Sequence, residues 1–172
     1  MEKTPTRKCI RMNNYDYSTA GAYFVTICID KRKPILWAKN TDHKPNTSAF
    51  TVGAATCRPK LSYIGTVVEH AILQIQRHYP MISVDKYCIM PDHIHMIIVI
   101  NTDESGRQIA APTISTILGQ TKRWTSMKLG YSIWQKSFYD HVIRNYQDYR
   151  ETWEYIENNP LKHLLKQSSQ IL

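Results

Sequence analysis

The 172-residue sequence has no apolar run near the ~20 residues that cross a bilayer, and its longest, Met96 to Ile100, is strand-sized. The opening stretch MEKTPTRKCIRMNNYDY carries positive charge but leads into no apolar segment, so no secretory signal is expected. The four cysteines, Cys9, Cys28, Cys57 and Cys88, form no C-x-x-C pair. That spacing argues against a zinc knuckle and a disulfide framework, and points to reduced thiols in a cytoplasmic protein. Internal repeats and low-complexity tracts are lacking too. Acidic residues are few: 14 Asp and Glu stand against 22 Lys and Arg, a formal net charge of +8. Such a surface attracts polyanions, whether nucleic acid, acidic lipid or acidic protein. With 42% hydrophobic and 21% charged residues the chain can build a packed core, and residues 1–172 have the length of one domain.

Residues 1–20 read as an irregular basic arm, and Lys3, Arg7, Lys8 and Arg11 suit either a grip on a duplex stem by counterion release or a simply disordered terminus. Gly21–Asp30 is rich in β-branched and aromatic residues and reads as a strand. Residues 38–60 have no period and form a long loop insertion, with a short strand at Phe50–Val52. Leu61–Tyr79 repeats apolar residues at helical spacing, with Ser62 as its cap and Pro80 as its stop. In Ile82–Met90, residues Ile82, Val84, Lys86, Cys88 and Met90 alternate on one side of a strand. Pro91-Asp92 turns into a second strand, His93–Ile100, making a hairpin. A helix at Thr113–Leu129, a short strand at Phe138–Arg144 and a helix at Gln147–Asn158 stopped by Pro160 complete the chain. That order fits an α+β, ferredoxin-like fold: an antiparallel sheet with helices on one face plus a C-terminal helix.

Two local patterns carry chemistry. His93 and His95 are two apart on a strand, so both rings project from one face and can reach one point, as two ligands of a divalent ion do. Two unrelated histidines on a half-buried strand would give the same spacing. Asp92 can orient an imidazole N–H or simply serve the turn. Ile97 stands where a third histidine would be needed for a histidine-triad nucleotide hydrolase, so that signature is incomplete. On the last helix, Tyr146, Tyr149, Trp153 and Ile156 form the apolar stripe. Tyr155 lies about 100° off that stripe and shares its own face with Glu151 and Asn159. A phenol is a poor nucleophile at its ordinary pKa of ~10, and a neighbouring cation would activate it. His93, His95 and Tyr155 are thus chemically complementary, with Asn159 as an oxygen donor.

These stretches are similar to the single-tyrosine HUH transposases, and within them to the REP-associated tyrosine transposases. The likeness rests on Tyr87–Val99 (YCIMPDHIHMIIV), on Trp134–Arg144 (WQKSFYDHVIR), on Tyr155–Lys162 (YIENNPLK) and on the first strand Gly21–Asp30. It implies Mg²⁺ or Mn²⁺ on His93, His95 and Asn159, and Tyr155 as the catalytic residue. It also implies cleavage and rejoining of single-stranded DNA at palindromic hairpins through a covalent 5′-phosphotyrosine link. Its members occur as monomers or homodimers, so both states stay open. The 38–60 insertion is not part of the pattern.

Lys122, Arg123, Trp124 and Lys128 put charge beside an aromatic ring on one helix, a combination suited to a single strand of DNA, although a buried Trp124 on a solvated helix would look the same. Arg144 is a further candidate phosphate contact, whereas Trp134 and Phe138 read as core. Two other classes remain: a non-catalytic, ferredoxin-like nucleic-acid-binding protein, indifferent to metal and to Tyr155, and a metal-dependent phosphohydrolase.

Overall fold

In a computed structural model of the chain, residues 15–38, 59–102 and 112–169 are described. The basic arm up to residue 14, the body of the 38–60 insertion with its expected strand at Phe50–Val52, and Cys9 and Cys57 lie outside them. The elements run β1 (Gly21–Cys28), α1 (Tyr63–His78), β2 (Ile82–Ile89), β3 (His93–Ile100), α2 (Ile114–Leu129), β4 (Tyr139–Ile143) and α3 (Tyr146–Ser168). The sheet order is β2-β3-β1-β4, and every neighbouring pair is antiparallel. This is the ferredoxin-like arrangement that the element order implies.

Strand alternation sorts the core into two layers. Tyr23, Val25 and Ile27 of β1 and Ile94, Met96, Ile98 and Ile100 of β3 are fully enclosed, packing with Val68, Ile72 and Ile75 of α1 and Ile114, Ile117 and Leu118 of α2. The other face carries Phe24, Cys88, Ile97 and Ile143, and α3 lies there through Ile156. Burying a side chain such as Ile156 contributes about 1.5–3 kcal/mol, enough to seat that helix. The side chain of Ser62 caps α1 by accepting from Gly65 N (3.0 Å), as expected. Thr113 caps α2, and Gly130 at φ 78° ends it in a left-handed residue.

Four expectations need correction. The alternation in β2 is broken by a bulge between Val84 and Lys86. Ile82 and Val84 face the α1/α2 layer, but Lys86 and Cys88 face α3, because the extra residue flips the pleat. Pro160 does not end the last helix, which continues to Ser168. Proline removes only the bond to Ile156 O, and beyond it His163 packs edge-on against Trp37 (5.3 Å between centroids), giving the next turn a tertiary partner. Tyr146 is 79% exposed rather than in the core stripe, because it opens the helix just after the Asn145 cap. Strand β1 also stops at Cys28, two residues early, where Asp30–Arg32 forms a 3-10 turn.

The ends of the insertion meet: Ala38 N donates to Lys60 O (2.9 Å) and Trp37 bridges Leu61. Residues 37–38 and 60–61 are therefore held side by side. No described helix is long and apolar enough to cross a membrane.

Candidate active site

The site is built where β3 begins. Both histidines project from the sheet face that α3 covers, as i and i+2 on a strand must. Their Nε2 atoms stand 3.0 Å apart with the rings at 80°. His93 Nδ1 lies 2.6 Å from Asp92 Oδ1, so the carboxylate holds the proton on Nδ1 and leaves Nε2 with its lone pair. The turn residue Asp92 thus orients an imidazole as well as making the hairpin.

His95 is set by the neighbouring strand. The β1–β3 register places Thr26 opposite His95, and Thr26 Oγ1 is 2.7 Å from His95 Nδ1. A hydroxyl serves either tautomer: it donates to a bare Nδ1 or accepts from a protonated one. Only the second leaves the His95 Nε2 lone pair to a cation. Phe24 stacks on the His95 ring at 5.3 Å and meets Tyr155 edge-on at 5.9 Å, forming an apolar floor. Burial pushes the pKa of His95 down to about 3, and the charges of His93 and Arg32 push the same way. His93 is also lowered, chiefly by burial, with Asp92 opposing. Both rings are therefore neutral near neutral pH, the form that ligates a metal.

Tyr155 is 47% exposed on α3, and its hydroxyl lies 3.5 Å from His95 Nε2. Asn159 is one turn further along the same helix face. Its Nδ2 is buried without a hydrogen-bond partner among the described residues, as are Tyr79 Oη and Trp134 Nε1 elsewhere, and a cation would take the amide's other atom, Oδ1. These residues fit a divalent cation. Two imidazole nitrogens about 2.1 Å from one ion at right angles would stand about 3.0 Å apart, the separation found between His93 and His95. No three His, Cys, Asp or Glu residues converge as a metal cage among the described residues. A two-imidazole site with an amide suits an ion that keeps positions for water and phosphate oxygens.

The helix is pinned over the sheet by the bulge in β2. Lys86 pairs with Glu157 and sits 4.6 Å over the Trp153 ring, while Tyr149 OH donates to Asp85 (3.0 Å). The three residues whose groups meet, His93, His95 and Tyr155, come from one chain, and Asn159 follows one turn along the same helix.

The candidate DNA contacts are placed elsewhere. Lys122, Arg123, Trp124 and Lys128 lie on α2, across the sheet from the histidines. Lys122 Nζ donates to Gln135 O (2.8 Å) and Ser137 O (3.1 Å), so it ties α2 to the segment before β4. Trp124 is half-buried, with Lys128 Nζ 5.6 Å from its ring centroid; Arg123 is exposed. Arg144 follows β4, and its backbone N–H donates to Asp148 (3.1 Å). Trp134 is buried and Phe138 packs on the core. Reading the sequence alone overlooked Thr26, Phe24 and Arg32. Their importance depends on strand register and a turn, which no local spacing encodes.

Comparisons with known proteins agree with this architecture. No protein-family model matches the chain. An uncharacterized Haemophilus influenzae protein is 29% identical, covering 90% of this chain and 88% of its own. An Escherichia coli REP-associated tyrosine transposase is 28% identical, covering 70% of this chain and 69% of its own. A putative REP-associated tyrosine transposase of Haemophilus influenzae is 28% identical, covering 88% and 78%. Among solved structures, a REP-associated tyrosine transposase bound to a REP hairpin superposes with a TM-score of 0.56 at 23% identity, covering 89% of this chain and 74% of that one, which bears on the fold. In sequence over most of its length, and in fold, the chain is similar to the REP-associated tyrosine transposases.

Proposed function

We propose that the chain is a transposase-type enzyme that cleaves and rejoins single-stranded DNA beside a hairpin, through a 5′-phosphotyrosine link to Tyr155. The observation that carries this reading is the meeting of three groups in one chain: His93 Nε2 and His95 Nε2 at 3.0 Å, and the Tyr155 hydroxyl 3.5 Å from the latter. The relatives' names and the hairpin in the solved structure support the substrate class.

In this reading His93, His95 and Asn159 hold Mg²⁺ or Mn²⁺. The cation supplies polarisation of the scissile phosphate and stabilises negative charge on the phenolate. Tyr155 Oη attacks phosphorus as the bond to the 3′ oxygen breaks. The phenol gives up its proton to solvent at its exposed side, and the departing 3′ oxygen takes one up to become a hydroxyl. One phosphodiester replaces another, so reversal by the 3′-hydroxyl rejoins the strand without an external energy source. Phe24 and Thr26 hold His95, and Asp92 holds His93, so the two lone pairs are oriented before substrate arrives. Since one chain supplies both histidines and the tyrosine, this reading takes the monomer as the working unit. The reading places the protein in the cytoplasm, with DNA.

The test is incubation with a hairpin-bearing single-stranded oligonucleotide and Mn²⁺, followed by denaturing electrophoresis. The reading expects a covalent adduct that is lost on chelation and in Tyr155→Phe. An adduct that persists in Tyr155→Phe, or none with the wild-type chain, contradicts it.

A further inference from the structure

Between β1 and α1 the chain makes a turn that the chemistry above does not use. Lys31 and Arg32 both adopt left-handed backbone there, at φ 53° and 54°. Residues with side chains avoid that conformation, and it persists where the surroundings impose it. The turn is clasped to the tip of the histidine hairpin: Ile29 N donates to Asp92 O and Leu36 N to Pro91 O, each at 2.9 Å. It delivers the Arg32 guanidinium to two partners. Nε stands 2.9 Å from Asp92 Oδ2, and Nη1 is 2.9 Å from Cys28 Sγ. Cys28 itself pairs with His93 in the strand register.

The Asp92 carboxylate is thereby shared: Oδ2 receives Arg32, while Oδ1 receives His93 Nδ1 at 2.6 Å. Fixing one oxygen fixes the plane of the other. We propose that Arg32 is a positioning residue of the cation site, holding Asp92 so that the His93 proton stays on Nδ1 and the Nε2 lone pair faces the ion. This rests on the reading of His93 and His95 as ligands of a divalent cation. Arg32 is half exposed, and ion pairs in that setting add little to stability. The strained turn therefore serves orientation. A carboxylate that orients a ligating histidine commonly changes metal affinity when lost, and Arg32 acts one step behind it.

Mn²⁺ titration calorimetry on the full chain tests this, comparing wild type with Arg32→Gly, Arg32→Lys, Asp92→Asn and the Arg32→Gly/Asp92→Asn double variant. Glycine suits the left-handed backbone, so Arg32→Gly keeps the fold while deleting the guanidinium. The expected result is roughly tenfold weaker Mn²⁺ binding in Arg32→Gly at an unchanged or raised melting temperature, with Arg32→Lys in between. The double variant should bind no more weakly than Asp92→Asn alone, since Arg32 acts through Asp92. Arg32→Gly binding like wild type, or losses that add in the double variant, overturns the positioning role and leaves the metal reading standing. A wild-type chain that takes up no Mn²⁺ overturns both.

Discussion

The Tyr155 hydroxyl stands 3.5 Å from Nε2 of His95 although sixty residues separate them in sequence. The contact depends on how α3 is seated. Ile156 is fully buried one residue beyond the tyrosine, and Lys86 and Asp85, at the β2 bulge, hold Glu157, Trp153 and Tyr149. A strand irregularity on one side of the sheet thus sets the position of the nucleophile over the other strands. From this arrangement follow expectations for solution experiments.

Mixing two defective chains tests whether one chain holds a whole centre. His95→Ala lacks a ligand and Tyr155→Phe lacks the nucleophile. A centre completed within one chain predicts no adduct from either variant or from their mixture. Adduct formation only in the mixture would mean that sites are shared between copies.

Acid should weaken the metal-free fold through His95. Its pKa is about 3 when folded, against about 6.5 in an unfolded chain. Between those values the unfolded chain binds a proton that the folded chain refuses, so stability falls as pH drops through that window and is level above it. His93 is lowered too and acts in the same sense. Urea midpoints of chelator-treated protein should fall from about pH 7 to about pH 5. His95→Gln should flatten the slope; equal slopes in the two proteins would exclude this cause.

Lys122 should behave as a structural residue. Its ammonium ties α2 to the Gln135 and Ser137 carbonyls, and hydrogen bonds to charged groups contribute about 1.5–3 kcal/mol. Part of Lys122 is exposed, so Lys122→Met should lower stability by about 1–2 kcal/mol. The salt dependence of oligonucleotide binding should stay unchanged. Arg123→Ala, at an exposed site, should move stability by less than about 0.5 kcal/mol. A Lys122→Met protein of normal stability with a shallower salt slope would restore it as a phosphate contact.

Gly65 marks where α1 touches the segment that braces the hairpin. A Cβ there would meet Leu36 O at 2.1 Å, and Leu36 N binds Pro91 O. Gly65→Ala should therefore destabilise by about 1–3 kcal/mol despite the better helix propensity of alanine. Thermal melts read this directly, and a melting temperature equal to wild type would show that the contact relaxes freely.

What could be read from the sequence was local. The order of strands and helices, the Ser62 cap and the one-face placement of His93 and His95 follow from spacing over a few residues. So does the Tyr155–Asn159 helix face. The bulge after Val84 was hidden, because one inserted residue leaves composition and alternation nearly intact. Helix α3 passes Pro160 through packing of His163 on Trp37, a contact between distant residues. Thr26 and Arg32 were hidden for the same reason: strand register and a left-handed turn bring them to the histidines. Basic residues on α2 looked alike in sequence, and only the carbonyls around Lys122 distinguish a tether from a solvent-facing charge.

The most direct check is to digest the DNA-linked protein and locate the nucleotide by mass spectrometry. The account predicts one modified peptide, with a phosphodiester from Tyr155 to a DNA 5′ end and a free 3′-hydroxyl on the released strand. Linkage to another of the eleven tyrosines, or a 3′-phosphotyrosine, would contradict it.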